Sequence, residues 1–270
     1  MAADYQTITF EVRDHVAYVT LNRPEVYNAF DAAMQEEVRD VWRNLRVDDE
    51  ARVVVLSAAG DKAFCVGIDR NEPFVALDGG TKFGTSNDFM YDDPGDNLGP
   101  KSCDLWKPVI AAVNGIACGG AFYFLAEADI IIAADNATFF DPHVTYGMAA
   151  VYEPMKMLAH MPLGEVLRMS LLGAHEQLSA QTAHRIGLVT DVVAPGELQT
   201  EAARLAAAIA SANPSAIQAT LRAIWAANDL SREQANSIAP AILAAGMDLE
   251  ALSAGGEEFA SGARIEPRIR

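Results

Sequence analysis

The first chemistry legible in the sequence lies in its glycines. Gly119 and Gly120 stand side by side in GIACGGAFYFLAEAD, where one short apolar run ends and another begins. A glycine pair at a helix start lets another group approach the backbone, and the unpaired N–H groups there point outward at the positive end of the helix dipole. Such donors can stabilise an oxyanion. The other reading of the pair is tight packing of a helix on a strand. AFCVGID adds a second feature, because Gly67 follows a buried run and would let the N–H of Ile68 join that of Gly120 at the same oxygen. Acid–base groups cluster further along, in FFDPHVTYGMAAVYEP, which brings Asp141, His143, Tyr146, Tyr152 and Glu153 into one short stretch. His143 titrates near neutrality and suits a general base, or it is a hydrogen-bonded histidine at a strand end. Tyr123, one turn past the glycines, can donate a hydrogen bond to developing charge or fill an acyl pocket beside Phe122 and Phe124.

The elements that must position these groups follow from periodicity. TITFEVRDHVAYVTL alternates on either side of RDH and predicts a β-hairpin. Asp31 caps an amphipathic helix over 31–48, with Met34, Val38, Val41, Trp42 and Leu45 on its buried face. RVVVLSAAG, KPVIAAVNG, DIIIAAD and ATFF are short apolar strands of the kind covered on both faces. Strands alternating with helices predict parallel β-layers with ligand loops gathered at strand ends. The stretch from Asp61 to Pro100 is loop-rich, and NDFMYDDPGD within it is a candidate cap on the acyl end of a pocket, with Phe89, Met90, Tyr91 and Trp106 as lining. After residue 150 the chain turns helical and ends in Ala-rich helices, a packing or oligomer surface more than a catalytic module.

Composition narrows the class. At 270 residues, 51% hydrophobic, the chain can bury a large core. The net charge of −17 argues against binding nucleic acid or an anionic membrane, whose affinity comes from a basic face. The N-terminal residues contain no apolar run suited to a signal or a span, so a cytoplasmic protein is expected. Cys65, Cys103 and Cys118 are far apart and form no metal-binding spacing, so neither a disulfide scaffold nor a metal site is expected. Cys65 and Cys118 flank the glycines, but in apolar runs that mark small hydrophobes and not nucleophiles.

VAYVTLNRPEVYNAFD, RVVVLSAAGDKAFCVGID, KPVIAAVNGIACGG, ADIIIAADNATFFDP and LSAQTAHRIGLVTDVV, in this order and spacing, resemble the crotonase or enoyl-CoA hydratase/isomerase superfamily. The resemblance covers residues 7–230 and implies an α/β fold, a crotonase-like spiral core of ββα repeats over 1–200 with a C-terminal helical trimerisation region over 201–270. It implies a homotrimer or a dimer of trimers. It also implies an acyl-CoA thioester as partner, with coenzyme A entering as part of the substrate and no separate cofactor. By position, the thioester oxygen falls to the N–H groups of Ile68 and Gly120. Ala29, Lys62, Ala63, Phe64 and Val66 belong to loops near the adenine end, and Asp69 and Gly119 are further substrate-binding candidates. The family's hydratases use two glutamates, and here those positions hold Tyr123 and His143. The aspartate used by other branches falls on Val151. Conventional hydration and double-bond migration both lose their usual acids, leaving His143, Tyr123 and Glu153 as the catalytic candidates. Three readings stand at this level. One is an atypical enzyme, a hydrolase or lyase, with His143 as water-activating base. The second is a non-catalytic acyl-CoA-binding or regulatory protein. The third is a hydratase in which Glu153 or Asp141 has taken over.

Overall fold

The computed structural model describes residues 5–71, 93–261, 265 and 267–269. The chain divides into Met1–Ile209 and Ala210–Arg270.

In the first unit, strands β1 (Ile8–Arg13) and β2 (Val16–Leu21) form the hairpin read from the sequence. Asp14 and His15 turn it with φ of +50° and +62°, the pair of positive values that a tight two-residue connection requires. Helix α1 (Ala32–Leu45) buries the five apolar residues anticipated for it, and Asp31 accepts the Met34 N–H at 2.7 Å as its cap. Strand β3 (Val53–Ala58) is buried along its whole length and pairs parallel with β2.

The remaining strands alternate between two sheets. β4 (Ala63–Cys65), β6 (Ile116–Cys118) and β8 (Thr138–Phe140) run parallel in a four-stranded sheet closed by β9 (Leu178–Ser179). β5 (Val109–Val113), β7 (Ile130–Ala134) and β10 (Asp191–Val193) extend the hairpin and β3 into a six-stranded sheet of order β1-β2-β3-β5-β7-β10. Each of the pairs β3–β4, β5–β6 and β7–β8 thus gives its first strand to one sheet and its second to the other. That alternation is the ββα spiral.

Short helices follow the second strands. Gly119–Ala121 form a 3-10 turn that leads into the single-turn helix α3 (Phe122–Leu125), shorter than the apolar run suggests. Every residue from Cys118 to Ala128 is buried, and all but Tyr123 and Glu127 are without a polar side-chain oxygen or nitrogen, although only one turn of the run is α-helical. The other helices of this unit are α2 (Gly95–Leu98), α4 (Tyr152–Met157), α5 (Leu163–Leu172), α6 (Ala180–Ile186) and α7 (Leu198–Ala210).

The second unit holds α8 (Pro214–Asp229), α9 (Arg232–Gly246) and α10 (Leu249–Ala260). Ser231 and Gln234 make a reciprocal capping box at the start of α9. Ile224, Leu243, Met247, Leu249 and Leu252 are exposed. Among the described residues no single helix is long and apolar enough to cross a membrane; α9 with the first part of α10 reaches the length only as a pair bent by 74°.

One buried side chain ties the loop after β2 to β4. Asn28, at φ +54°, accepts the Arg23 N–H at 2.9 Å and donates to the carbonyls of Ala59 at 2.9 Å and Ala63 at 3.0 Å. Removing it leaves buried backbone groups without partners and puts a β-carbon residue in a left-handed conformation with no local compensation. Asn28→Ala is expected to cost about 2–4 kcal/mol of stability, read as a lowered denaturation midpoint; an unchanged midpoint would show that the tie carries no load.

Candidate active site

The parallel strands β4, β6 and β8 all end on the same side, and their C-terminal ends deliver the chemistry, as open parallel sheets generally do. Gly67 and Ile68 follow β4, Gly119 and Gly120 follow β6, and Asp141 and His143 follow β8. A cavity of about 650 Å³ opens there, with Ile68, Gly120, Tyr123, His143 and Glu153 on its walls. Five residues picked from the sequence as oxyanion-stabilising or acid–base groups therefore meet in one space.

Backbone geometry decides how the first two strand ends meet. Gly67 adopts φ +86°, and a β-carbon on it would stand 3.1 Å from the Gly120 nitrogen. Gly119 adopts φ +55°, and a β-carbon on Gly120 would stand 2.5 Å from the Phe30 ring. Gly120 is thus a packing requirement, and it also lines the cavity. Phe30 and Ile68 form a parallel bridge in which the Phe30 N–H donates to the Gly67 carbonyl at 2.9 Å and the Asp69 N–H donates to the Phe30 carbonyl at 2.8 Å. Alternation along an extended chain then turns the N–H of Ile68 away from Phe30.

The acid–base groups form a connected set. The His143 Nδ1 lies 2.5 Å from Asp141 Oδ1, and that oxygen also accepts the His143 backbone N–H at 3.1 Å. A carboxylate acceptor at Nδ1 places the ring proton there and leaves Nε2 facing Glu153 Oε1 at 3.6 Å. The Asp141 hydrogen bond lifts the His143 imidazole above its ordinary value, against the opposing pull of burial. Glu153 sits in the first turn of α4 and is buried, which pushes its carboxyl upward despite the neighbouring His143. Burial, then the charges of Glu153 and Asp93, hold the Tyr123 phenol far above its usual range, so it stays a neutral donor.

Asp93 is the member that sequence reading missed. It is buried on the cavity wall, accepts the Tyr123 hydroxyl at 2.9 Å and the Gly95 N–H at 2.9 Å, and is pushed upward by burial. The Asp-Pro-Gly turn starting α2 was its only signal, and it lay inside an acidic stretch that reads equally as a solvated loop. Of the residues offered for the acyl end, Phe89, Met90 and Tyr91 lie outside the described residues. Trp106 is not on the cavity wall; its indole N–H donates to Asp104 at 2.7 Å.

The remaining substrate-binding candidates lie around the loops and not in the cavity. Lys62 is exposed, with its ammonium 5.9 Å from the Tyr27 ring centroid. Ala29 and Ala63 are buried, and their carbonyls accept from Arg23 and Asn28. Phe64 is wholly buried and packs edge-on against Phe124, while Val66 is half-buried. The Asp69 carboxylate accepts the Asn71 N–H at 3.0 Å and bonds Arg23 at 2.9 Å, which together hold its carboxyl below the usual carboxylate range. Burial pushes the thiols of Cys65 and Cys118 up to about 12, which leaves neither a nucleophile at neutral pH. Among the described residues no group of three or more His, Cys, Asp or Glu side chains is arranged to hold a metal ion.

Comparison with known proteins agrees with this geometry. The family model for enoyl-CoA hydratase/isomerase matches residues 11–259. The (E)-benzylidenesuccinyl-CoA hydratase of Thauera aromatica is 37% identical over 229 residues, 84% of this chain and 85% of that protein. A carnitinyl-CoA dehydratase from Proteus mirabilis is 33% identical over 85% of this chain and 84% of its own length. The crystal structure of an enoyl-CoA hydratase/isomerase from Mycobacterium paratuberculosis superposes with a TM-score of 0.87 at 32% identity, covering 99% of this chain and all of the other. The chain belongs to the enoyl-CoA hydratase/isomerase family, the crotonase superfamily its motifs resemble, and is an acyl-CoA enzyme of that family.

Proposed function

We propose that this enzyme adds water reversibly across the double bond of a 2-enoyl-CoA thioester, with Glu153 and His143 in place of the family's two glutamates. The observation that carries the reading is the pairing of two proton-handling groups on one cavity wall. His143 Nε2 and Glu153 Oε1 stand 3.6 Å apart in the cavity that Ile68 and Gly120 also line. Water addition needs one group to take a proton from water and another to give a proton to the α-carbon. His143, with Asp141 on its far nitrogen, is suited to the first task, and a buried Glu153 that resists ionisation is suited to the second. The names of the curated relatives, a hydratase and a dehydratase, support the same class of reaction.

The N–H groups of Ile68 and Gly120 are the donors for the thioester oxygen in this proposal. Two such bonds let the carbonyl take on enolate character, and losing one typically costs about a hundred- to a thousand-fold in turnover. The exposed loops carrying Tyr27 and Lys62 would receive the nucleotide end of coenzyme A. Arg23, already paired with Asp31 and Asp69, would shape that loop and not grip a phosphate.

A second reading rests on the Asp141–His143 dyad alone. The same base can direct water at a carbonyl, which would release free coenzyme A from a thioester or cleave a β-keto acyl chain. Incubation with short-chain and aryl-substituted 2-enoyl-CoAs, (E)-benzylidenesuccinyl-CoA among them, and with a 3-ketoacyl-CoA separates the two. Hydration yields a product one water heavier with its thioester intact. Release of free thiol, or turnover of the ketoacyl ester alone, would replace the hydratase reading by the hydrolase one.

The roles assigned to the pair give opposite pH signatures. His143 acts as base only when neutral, so activity rises with pH through its raised value; Glu153 acts as acid only when protonated, so activity falls with pH through its own. Glu153→Gln is expected to lower kcat/KM by about a hundred- to ten-thousand-fold and to remove the alkaline limb, and His143→Gln to remove the acid limb. Variants that keep both limbs would assign the acid–base roles elsewhere.

We further propose that the apolar side chains left exposed on the helical unit are covered by other copies of this chain, in a homotrimer or dimer of trimers. Light scattering coupled to size exclusion is expected to give a mass of three or six chains, and Leu243→Asp, which puts a charge on that surface, to lower it. A monomeric wild type would refute the assembly.

A further inference from the structure

Helix α4 is too short to hold its own place. It has six residues, and Val151 before it has no side chain that could cap it; a helix of that length gains little from its own hydrogen bonds. Yet Glu153, in its first turn, must stand in register with His143, 3.6 Å away. Glu153 and Met157 are buried while Tyr152 and Met155 are exposed, so core packing grips α4 along one stripe.

Lys156 adds a second hold. Its ammonium donates to Glu127 Oε1 at 2.6 Å and to Ser102 Oγ at 3.0 Å. Glu127 lies just past α3, in the buried run that opens with Gly119 and Gly120. Its carboxylate has a seat made for it. Ser102 donates its backbone N–H to Oε2 at 2.7 Å and its hydroxyl to Oε1 at 2.6 Å, and a β-carbon on Gly99 would overlap the carboxylate. Gly99 has a φ of −74°, which any residue adopts, so space and not conformation calls for a glycine there. His160, just after α4, donates from Nε2 to the Ala126 carbonyl at 3.0 Å and so joins the same two segments. A buried ion pair adds little net stability, because desolvation offsets most of the attraction. What this pair does set is the placement of the helix that carries Glu153 against the run that carries Gly120.

We propose that Lys156, held by Glu127 and Ser102, is the positioning residue for Glu153: it fixes α4 against the Gly120 segment and thereby fixes where the Glu153 carboxyl stands beside a bound thioester. The catalytic consequence rests on the acyl-CoA hydratase reading of the cavity; the hold on α4 does not. Among the described residues, the titratable groups that face the Glu153 carboxyl are His143 and Asp141 after β8 and Tyr123 on α3, with Asp93 on the same cavity wall. Lys156 directs its ammonium to Glu127 instead, so it acts on Glu153 through the helix and not through its charge.

Lys156→Met keeps an unbranched stem and removes the ammonium. It is expected to lower kcat on a 2-enoyl-CoA about ten- to a hundred-fold with little change in KM, because a misplaced acid is felt in the transition state and not in binding. The alkaline limb of the pH profile, which belongs to Glu153, is expected to move to lower pH as a loosened α4 lets water reach a carboxyl that burial holds upward; the acid limb of His143 stays. An unchanged kcat would overturn the proposal. So would movement of the alkaline limb to higher pH, the direction that loss of a nearby cation gives. The double variant Glu127→Gln/Lys156→Met also removes the carboxylate charge that the single variant strands, and it carries the test if Lys156→Met does not fold. Its denaturation midpoint is expected to recover while its kcat stays low; recovery of both together would show that the pair serves stability alone. Hydrogen exchange of the peptide spanning α4 reads the hold without substrate and is expected to be faster in the variants, with β3 unchanged. Unchanged exchange in α4 would overturn the proposal. A wild type that hydrates no 2-enoyl-CoA, with α4 exchange still faster in the variants, would refute only the hydratase reading and leave the hold standing.

Discussion

The site depends on one close approach, the 3.1 Å that separates the β-carbon position of Gly67 from the nitrogen of Gly120. Any side chain at residue 67 would stand in the space that the Gly120 N–H addresses. The positive φ of Gly67 turns the chain sharply out of β4, and the bridge to Phe30 then sets the direction of the next N–H. Phe30 in turn presses on Gly120 from the other side, so the same ring that orders Ile68 demands a missing side chain at Gly120. Backbone donors held this way cost no reorganisation when charge develops in front of them, which is where their advantage over mobile side chains lies.

The spiral explains why such a point exists. Each repeat sends its first strand to the large sheet and its second to the small one, so the ends of β4, β6 and β8 lie side by side although far apart in sequence. The short strands of the small sheet stop early, at Cys65, Cys118 and Phe140, and the residues just beyond them are free to serve a ligand. α4 then carries Glu153 to the same space. The long strands of the other sheet carry the core, β3 and β5 being buried along their full length. Stability and chemistry are thus divided between the two sheets, and a side chain at one of the small strands' ends can change without unsettling the fold.

How far the sequence reveals this follows from the range of each interaction. The hairpin, the Asp31 cap and the buried face of α1 rest on local periodicity and local hydrogen bonds, and all are readable in advance. Gly67, Gly120 and His143 are readable because a glycine after a buried strand and a histidine in an Asp-Pro-His turn have few local purposes. Asp93 is not, because its meaning comes from Tyr123, thirty residues on, and nothing in its own neighbourhood distinguishes it from Asp96. Glu153 is legible as a catalytic candidate from its stretch, but its burial and its approach to His143 are set by packing that no periodicity encodes. Asp69 is legible by its place and not by its partners. Beside Gly67 and Ile68 it looks like a substrate contact, yet its carboxylate is taken by Arg23 and the Asn71 N–H, partners set by the loop after β2 and by the turn after Ile68.

The cavity wall carries acid–base groups of two kinds, an imidazole and a buried carboxyl. A conventional pair needs one carboxyl ionised and one neutral, and the usual way to hold that difference is an unequal environment for two otherwise similar groups. In the proposed reaction the two functions fall on different chemical types. His143 takes its orientation from Asp141 and offers a nitrogen lone pair, while burial pushes the Glu153 carboxyl upward. Tyr123 stands on the same cavity wall. Its hydroxyl donates to Asp93 and its ring packs edge-on against Phe30, the residue bridged to Ile68. One side chain thereby touches both the residue bridged to Ile68 and the buried carboxyl of Asp93.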